Sequence, residues 1–323
     1  MRKYTSKLAP AINEYLELRK TLGYSEIQEN SLEMFDAYCH EHHPNLETIT
    51  KESACGWVSY ETSRGRGGMY NKICAVRMLA LYIGNGAYIL PTSAVPKKPK
   101  SKPYILTDNE LSRFFAAADN VKYTKHFKGS RWSDEMCSTL FRLLYTCGLR
   151  PNEVRMIKRH NINFATGEIL IAKSKSHKER IVVMSDDMLE QCRKYDTIRT
   201  ISGHQSEYFF VRADGIPVPS YHLNYVFRRI WRQANPDIPA NMLPQVRPYD
   251  LRHRFASSIL HNWLNEGRDL YAMLPYLSAY MGHAQFSDTA YYIHILPENL
   301  LTSSGVDWSS IDAVNPEVSV WEN

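Results

Sequence analysis

Residues 146 to 154 read Thr-Cys-Gly-Leu-Arg-Pro-Asn-Glu-Val, and this stretch predicts how the second half of the chain is built. Gly148 suits the end of one helix, and Pro151 suits the first turn of the next. Arg150 is therefore held at a helix start, where its guanidinium and backbone N–H groups can meet a phosphate together. Glu153 is placed to buttress this arginine. An arginine at a helix start is usually a surface residue. A catalytic role for Arg150 therefore requires further residues from other segments of the chain.

The segment that follows changes to the alternating periodicity of strands. Residues 168–171 read Glu-Ile-Leu-Ile, and residues 180–184 read Arg-Ile-Val-Val-Met, with a basic turn between them. This pattern predicts a β-hairpin, and residues 208–211, Tyr-Phe-Phe-Val, are predicted to add a strand. A lysine on the turn can reach into a groove and give a proton to a leaving oxygen. A solvated basic turn is the commoner outcome for any one lysine.

A third segment, residues 247–256, reads Arg-Pro-Tyr-Asp-Leu-Arg-His-Arg-Phe-Ala. Asp250 is predicted to cap a helix that carries Arg252 and His253 in its first turn. If Arg150 and Arg252 converge on one phosphate, they would neutralise the charge that builds up on a pentavalent phosphorus. The alternative is a basic helix start on the protein surface.

A fourth segment, residues 280–294, reads Tyr-Met-Gly-His-Ala-Gln-Phe-Ser-Asp-Thr-Ala-Tyr-Tyr-Ile-His. Gly282 is predicted to break a helix, and a second helix beginning at 287 or 288 is predicted to carry Tyr291 and Tyr292. A phenol is a weak nucleophile at neutral pH, so it needs a cationic site and a proton acceptor nearby. Without them, paired tyrosines on a helix are usually interfacial aromatics.

The order and spacing of these segments are specific, although each is weak alone. The chain has Gly-Leu-Arg-x-x-Glu, a lysine hairpin, Tyr-Asp-Leu-Arg-His, Gly-His, and a tyrosine nine residues after that histidine. This arrangement resembles the tyrosine recombinase (phage integrase) family over residues 103–295. The resemblance implies a site-specific DNA recombinase or integrase that cleaves and rejoins DNA through a 3′-phosphotyrosine, with no ATP, metal or other cofactor.

The resemblance also implies roles for individual residues. Arg150 and Arg252 would bind the non-bridging oxygens of the scissile phosphate, and His283 would donate to the phosphate or the transition state. Tyr292 would be the nucleophile, with Tyr291 as its rival, because Ile-His follows Tyr292 as the family pattern requires.

The general acid for the 5′-oxygen leaving group would be Lys175. It is favoured over Lys173 and Lys178 because the family's lysine precedes a lysine by three residues and an arginine by five. In this chain those residues are Lys178 and Arg180.

Tyr249 departs from the family pattern, which usually has a histidine there as a candidate general base. A tyrosine can still form a hydrogen bond, but it is a poor base. We interpret Tyr249 as active-site lining that slows or retunes the reaction. Glu153 and His253 are interpreted as supporting residues behind the arginines.

The fold predicted for the chain is mainly α with a small β-hairpin, arranged as two domains that clamp DNA. Four stretches of helical apolar spacing in residues 1–94 predict an all-helical domain, which resembles the family's core-binding domain. Residues 95–103, Val-Pro-Lys-Lys-Pro-Lys-Ser-Lys-Pro, are predicted to be an extended linker along a phosphate backbone, and residues 104–323 the catalytic domain. The predicted DNA contacts of the clamp are Arg64, Arg66, Lys72, Arg77, Lys97, Lys98, Lys100 and Lys102.

Charge is distributed unevenly along the chain, whose net charge is +5. Residues 1–102 carry +4, residues 103–268 carry +8, and residues 269–323 carry −7 with no lysine or arginine. This pattern favours an anionic partner for the basic body, with chance variation as the alternative. We interpret the acidic end as a segment that docks on a neighbouring subunit of a tetramer formed on DNA. Its apolar face would comprise Trp308, Ile311, Val314, Val318 and Trp321.

The remaining features favour a cytoplasmic, nucleoid-associated protein. The six cysteines lack Cys-x-x-Cys spacing, which is typical of reduced thiols, and neither a membrane span nor a secretory leader is expected. Residues 39–43, Cys-His-Glu-His-His, lack the spacing of a zinc finger and are interpreted as a polar helix terminus.

Two other functions remain open for such a chain. One is a DNA-binding accessory or regulatory protein with a recombinase fold and weak activity, which Tyr249 favours. The other is a type IB topoisomerase, whose usual linker and capping regions are missing from this sequence. Among recombinases, the two-domain architecture is similar to that of chromosome-dimer resolvases, integron integrases and transposon-borne recombinases. The run Tyr-Asp-Leu-Arg-His at residues 249–253 favours one borne by a mobile element. It would act on paired sites in double-stranded DNA, alone or with accessory proteins, and would be a monomer when free.

Overall fold

The computed structural model describes residues 4–24, 29–65, 68–94, 103–121, 134–172, 179–202, 206–212 and 215–293. The chain divides into two compact units, Met1–Ser101 and Lys102–Asn323. The boundary falls within the segment 95–103, where the prolines and lysines predict a linker. Residues 95–102 themselves lie outside the described part of the chain.

The first unit consists of helices packed around apolar stripes. The helix that follows Thr50 begins with a capping box, because Thr50 Oγ1 accepts from the Ser53 N–H at 3.2 Å and Ser53 Oγ accepts from the Thr50 N–H at 3.0 Å. The apolar residues predicted to face inward at Ile12, Phe35 and Val76 are buried. The helices are α1 (Ala9–Thr21), α2 (Glu29–His42), α3 (Lys51–Ser63) and α4 (Met69–Ile83).

The second unit is mainly helical with one small sheet, which confirms the predicted fold class. Its first helix begins with the capping box that the sequence predicts, since the Glu110 carboxylate accepts from the Thr107 N–H at 2.8 Å. The helices are α5 (Asp108–Ala118), α6 (Asp134–Thr146), α7 (Pro151–Arg155), α8 (Asp186–Ile201), α9 (Ser220–Gln233), α10 (Pro248–Asn265), α11 (Leu270–Met281) and α12 (Ser287–Ala290).

The sheet is the predicted hairpin, formed by β1 (Glu168–Ile171) and β2 (Arg180–Val183). The strands are antiparallel, with Ile169 opposite Val182, and these two side chains point into the core. The additional strand expected at 208–211 is wrong: that stretch forms only isolated bridges, from Tyr208 to Lys158 and from Val211 to Pro217. Phe209 and Phe210 are buried there, so core packing accounts for the apolar run that suggested a strand.

Two apolar clusters support the second unit. The larger cluster contains Phe114, Phe141 and Phe227, whose rings pack at centroid distances of 4.8 to 5.7 Å. The smaller lies between α10 and α11, and it includes Tyr292 and Ile293 from the chain beyond α12. The tyrosine predicted to be the nucleophile is thus anchored by its ring in an apolar cluster.

The cysteines are free thiols, and four of the six are buried. Cys39 lies near the end of α2, whose last residue is His42, so the Cys-His run belongs to a helix terminus. The Tyr38 ring packs on His42 and His43 at this end, with centroid distances of 4.8 and 5.6 Å. In the described part of the chain, none of the helices has the length and apolarity needed to cross a membrane.

Candidate active site

Arg150 stands at the turn between α6 and α7, as the sequence predicts. It is the N-cap residue of α7, and Pro151 occupies the first helical position. Its Nη1 donates to Glu153 Oε1 at 2.7 Å, while its Nη2 donates to the carbonyl oxygen of Gly282 at 2.6 Å. The guanidinium therefore joins the start of α7 to the turn that follows α11.

Glu153 is buried and contacts three arginines. Its two carboxylate oxygens accept from Arg180 Nη1 at 2.9 Å and Nη2 at 2.8 Å, a bidentate pair, and Oε1 also accepts from Arg150. Arg252 Nη1 lies 3.9 Å from Glu153 Oε2. Burial acts to raise the pKa of Glu153, but the hydrogen bonds and charges of Arg180 and Arg150 prevail and lower it to about 2. The carboxylate is therefore ionised throughout the physiological range.

Arg252 is fully buried on the first turns of α10. Its Nη1 donates to the carbonyl oxygen of Gly148 at 2.6 Å, and its Nη2 donates to that of Met281 at 2.7 Å. The start of α10 is capped differently from the prediction, because Arg247 is the N-cap residue and Asp250 accepts from its N–H at 2.7 Å from the third helical position. Asp250 still fixes the helix start that aims Arg252 inward.

The two glycines at this site are required by close approach as well as by backbone conformation. Gly148 has φ +57° and Gly282 has φ +66°, in the left-handed region that glycine favours. A Cβ at Gly148 would collide with the Phe255 ring, and one at Gly282 would lie 2.9 Å from Arg180 Nη1. Both glycines also present carbonyl oxygens to the site arginines, so the turns and the guanidiniums form one structure.

His283 follows the Gly282 turn directly. Its Nδ1 lies 2.6 Å from the hydroxyl of Thr289, which is fully buried in α12. Its ring packs nearly parallel to that of Tyr292, with centroids 6.1 Å apart and 19° between the planes. Burial, with the positive charges of Arg252, Arg150 and Arg180, lowers the pKa of His283 to about 3. The ring is therefore neutral at pH 7.

Tyr292 lies beyond a helix shorter than the sequence predicts. The helix that begins at Ser287 ends at Ala290, so Tyr291 and Tyr292 follow the helix instead of lying on it. The Tyr292 side chain is 2% exposed, and its hydroxyl lies 3.0 Å from His253 Nδ1. Burial raises the pKa of Tyr292, and a hydrogen bond and charge from Arg252 oppose that rise.

Tyr249 and His253 face each other one turn apart on α10. Their ring centroids are 4.9 Å apart, and the His253 ring centroid is 5.5 Å from that of Tyr292. The residue that replaces the family's histidine thus reaches Tyr292 through the ring of His253. The sequence predicts a supporting role for His253 beside Arg252, whereas the structure places His253 directly on the Tyr292 hydroxyl.

Five of the six predicted catalytic residues therefore come together, and the supporting residues Glu153 and His253 lie among them. The five are Arg150, Tyr249, Arg252, His283 and Tyr292. Lys175 lies outside the described residues, as do Lys173 and Lys178. Within the described part of the chain, no set of three or more His, Cys, Asp or Glu side chains is arranged to hold a metal ion. The site is a largely buried cationic cluster in which guanidiniums lie next to the Tyr292 phenol.

The DNA contacts predicted for the first unit and the linker have different outcomes. The prediction for Lys72 is wrong, because this residue is 7% exposed and forms an ion pair with the buried Glu61 and so does not face a phosphate. Arg77 is half-buried, and its Nη1 donates to the carbonyl oxygen of Leu90. Arg64 is exposed at the end of α3, over the Tyr60 ring. The others, Arg66, Lys97, Lys98, Lys100 and Lys102, lie outside the described residues.

Sequence reasoning missed two residues of the site. In the sequence, Arg180 served only to identify Lys175 by its spacing. In the structure it forms the bidentate pair with Glu153, and its Nε donates to the Tyr280 carbonyl oxygen at 2.8 Å. Thr289 was read only as part of a helix. Arg180 opens an apolar strand, which is a detectable signal, since a charged residue at that position needs a buried partner.

Comparison with known proteins shows the family of the chain. The model of the phage integrase family matches residues 105–299, more than half of the chain. The relative y4rE of Sinorhizobium fredii, which carries an integrase/recombinase name, is 27% identical over 91% of this chain and 93% of its own. Tyrosine recombinase XerC of Staphylococcus saprophyticus is 24% identical over 84% of this chain and 86% of its own.

Solved structures share the fold at low sequence identity. The Tn1549 transposon integrase in complex with transposon right end DNA has a TM-score of 0.60 at 15% identity, over 96% of this chain and 99% of that one. The XerH recombinase bound to its difH substrate also has a TM-score of 0.60, at 19% identity, over 90% and 82%. A mainly helical fold with this site is that of a tyrosine site-specific recombinase. The chain belongs to the phage integrase family.

Proposed function

We propose that this recombinase cleaves and rejoins double-stranded DNA at specific sites through a 3′-phosphotyrosine on Tyr292. The observation that carries the proposal is the convergence of Arg150 and Arg252 on the backbone around Gly282, next to the Tyr292 hydroxyl. Two guanidiniums beside a phenol provide what phosphoryl transfer needs, which is neutralisation of the phosphate and a nucleophile in reach. DNA as the substrate agrees with the solved complexes that share this fold.

In the proposed reaction, the Tyr292 oxygen bonds to phosphorus as the bond from phosphorus to the 5′-oxygen breaks. Arg150 and Arg252 stabilise the non-bridging oxygens, His283 donates to the transition state, and Lys175 protonates the leaving oxygen. The phosphotyrosine keeps the energy of the broken bond, so the 5′-hydroxyl of a second strand can reverse the attack. Exchange between two duplexes implies several subunits. We propose a tetramer on DNA in which the C-terminal segment, through its predicted apolar face of Trp308 to Trp321, docks on a neighbouring subunit.

Covalent capture tests the proposal. The full chain is expressed in bacterial cells, denatured rapidly, and the DNA ends attached to it are sequenced. A duplex with the captured sequence and a nick beside the scissile phosphate then traps the enzyme, because the cleaved fragment diffuses away. We expect wild type and Tyr291→Phe to be trapped and Tyr292→Phe not to be trapped. Two outcomes would contradict the assignment of the nucleophile. One is that Tyr292→Phe is trapped, and the other is that Tyr291→Phe is the one protein that is not trapped.

Tyr249 favours a second candidate, a DNA-binding regulator with little cleavage activity, because the usual histidine is absent there. The same duplex separates the candidates. If wild type binds the duplex without trapping, the regulator is supported. If it traps the duplex and relaxes a supercoiled plasmid that carries the captured sequence, but never joins a second strand, it is a topoisomerase. Strand transfer to a second duplex supports the recombinase, and we propose that the natural substrates are the ends of a mobile element.

A further inference from the structure

The proton of Tyr292 needs an acceptor, and the usual acceptor of the family is replaced by Tyr249. Burial raises the pKa of the Tyr292 hydroxyl, so the phenol stays protonated until it attacks. As the oxygen bonds to phosphorus, its proton must move to a base within hydrogen-bond reach. The groups around the hydroxyl decide which base that is.

Most neighbours of the Tyr292 hydroxyl are unsuited to accept its proton. Arg252 carries only donors. His283 packs ring against ring on Tyr292, with centroids 6.1 Å apart, and its Nδ1 is engaged by the Thr289 hydroxyl at 2.6 Å, whereas the Tyr292 hydroxyl lies within hydrogen-bond distance of His253. The Glu153 carboxylate is held by Arg180 and Arg150 on both of its oxygens.

His253 has the geometry of an acceptor. Its Nδ1 lies 3.0 Å from the Tyr292 hydroxyl, which is hydrogen-bond distance. With the ring proton on Nε2, the Nδ1 lone pair points at the phenol and receives its hydrogen. The ring is fixed by Tyr249 on one side, at 4.9 Å between centroids, and lies 5.5 Å from the Tyr292 ring on the other.

Burial, together with the positive charges nearby, keeps the His253 ring neutral and its lone pair available. Burial, followed by the positive charges of Arg247 and Arg252, lowers the pKa of His253 to about 3. His283, from the turn after α11, is a further titratable group close by. At pH 7 the imidazole is therefore neutral. The proton it takes from tyrosine is held only while the phenol oxygen is bonded to phosphorus, so the base returns the proton readily when the reaction reverses.

We propose that His253 is the general base for Tyr292, in place of the histidine that the family usually has at position 249. The inference rests on the proposed phosphotyrosine reaction. On cleavage, the phenol O–H bond breaks, the oxygen bonds to phosphorus, and the proton moves to His253 Nδ1. On rejoining, the bond from phosphorus to the tyrosine oxygen breaks, and the same proton returns to the phenol.

Two substitutions separate proton transfer from positioning. His253→Ala removes both, whereas His253→Asn puts an amide oxygen near the position of Nδ1, where it accepts the hydrogen bond but cannot hold the proton. We expect both variants to be trapped on the nicked duplex about 100-fold more slowly than wild type or slower. His261→Asn, an exposed residue later on the same helix, is the matched control and keeps the wild-type rate. A rate for His253→Asn within about threefold of wild type would reduce His253 to a positioning residue.

Two chemical changes identify which proton His253 moves. A duplex whose scissile 5′-oxygen is replaced by sulfur has a leaving group that needs no proton, so it should leave the His253 variants slow. A fluorinated tyrosine at position 292 is more acidic and needs less help, so it should restore His253→Ala by about tenfold or more while changing wild type less. The proposal would be overturned if the sulfur-containing duplex restored the trapping rate of the His253 variants. It would also be overturned if the fluorinated tyrosine changed the rates of wild type and His253→Ala equally.

The outcome is distinguishable from failure of the proposed function. If wild type forms no covalent complex, the phosphotyrosine reaction itself is wrong. If wild type is trapped and His253→Ala is trapped equally fast, only the assignment of the base fails. Circular dichroism and the thermal unfolding midpoint show whether each variant is folded. If His253→Ala does not fold, the fluorine comparison is made with His253→Asn.

Discussion

The two units each bury a glutamate against basic side chains, and they do so differently. In the first unit, Glu61 pairs with Lys72, one negative charge with one positive. In the second unit, Glu153 meets Arg150, Arg180 and Arg252, one negative charge with three positive. Burying charge is costly unless it is balanced, so the first pair is complete while the second cluster lacks negative charge. The unbalanced positive charge of this cluster is suited to binding an anion such as a phosphodiester.

The largest expected effect is on catalysis in the unbalanced cluster. Arg252→Gln should slow trapping on the nicked duplex by about 1,000-fold, because a preorganised donor next to the reacting phosphorus is lost. Arg254→Gln, two residues along the same helix and bonded to Asp108, is the control and should change the rate little. Equal rates for Arg252→Gln and wild type would mean that the excess charge has no catalytic use.

The next effect compares the two glutamates in stability. Glu61→Gln and Glu153→Gln should each lower the free energy of unfolding by about 3 to 5 kcal/mol, because each leaves buried positive charge uncompensated. Chemical denaturation measures both. Inorganic phosphate, in place of chloride at equal ionic strength, should restore much of the loss in Glu153→Gln and little in Glu61→Gln, since an anion bound only to the folded state stabilises it. Equal restoration would erase the distinction between the regions.

A smaller effect concerns the glycine turn beneath Arg252. Gly148→Ala should cost about 2 to 4 kcal/mol of unfolding free energy, combining left-handed strain with overpacking against Phe255. Gly23→Ala is the matched variant in the first unit, where φ is +76° and nothing lies near the added methyl group. It should cost only about 1 to 2 kcal/mol. Denaturation curves check the difference, and a Gly148→Ala cost no larger than that of Gly23→Ala would contradict the close packing.

The last effect is the smallest for a single group over a single pH unit, and it is a dependence of stability on pH. The pKa of His253 and of His283 is about 3 in the folded protein, below the ordinary value of 6.5. As pH falls below 6.5 the unfolded chain binds protons that the folded chain refuses, so stability is fully present above pH 6.5 and declines toward pH 3. Each histidine should contribute a slope of about 1.4 kcal/mol per pH unit. Denaturation at pH 6 and pH 5 measures it.

A variant with both histidines replaced by asparagine provides the check. Its unfolding free energy should change less between pH 6 and pH 5 than that of wild type. Glu153 contributes little between pH 6 and pH 5. Its carboxylate binds a proton mainly below pH 4.5 in the unfolded chain and below its pKa of about 2 in the folded chain. An unchanged slope in the double variant would mean that the two rings are already solvated in the folded protein.

The placement of the predicted site residues could be anticipated because it is encoded in local sequence. Gly148 and Gly282 mark turns, Pro151 marks a helix start, and their spacing indicates where Arg150, His283 and Tyr292 belong. The contact of His253 was not predictable, since Arg252 and His253 are neighbours whose side chains diverge on a helix. Which of them meets Tyr292 depends on where the chain after α12 packs.

The burial of Lys72 was hidden for a related reason. The lysine sits among apolar residues of α4, and a basic residue after a glycine-rich loop suggests a phosphate contact. Its partner, Glu61, lies eleven residues earlier on another helix, so no local pattern joins the two. The length of α12 was hidden as well: Tyr291 and Tyr292 follow its single turn because Tyr292 and Ile293 insert into the cluster between α10 and α11.

The grip of the two arginines on backbone oxygens has a consequence for experiments. Arg150 donates a hydrogen bond to the carbonyl oxygen of Gly282, and Arg252 donates one to that of Met281. Both arginines therefore stabilise the turn that precedes His283. Replacing either one removes a positive charge from the site and also removes a hydrogen bond that holds the backbone before His283. A slower reaction in such a variant therefore has two causes, the lost charge and the lost hydrogen bond to the backbone. Free guanidinium added to the solution would replace the charge but would not restore the hydrogen bond.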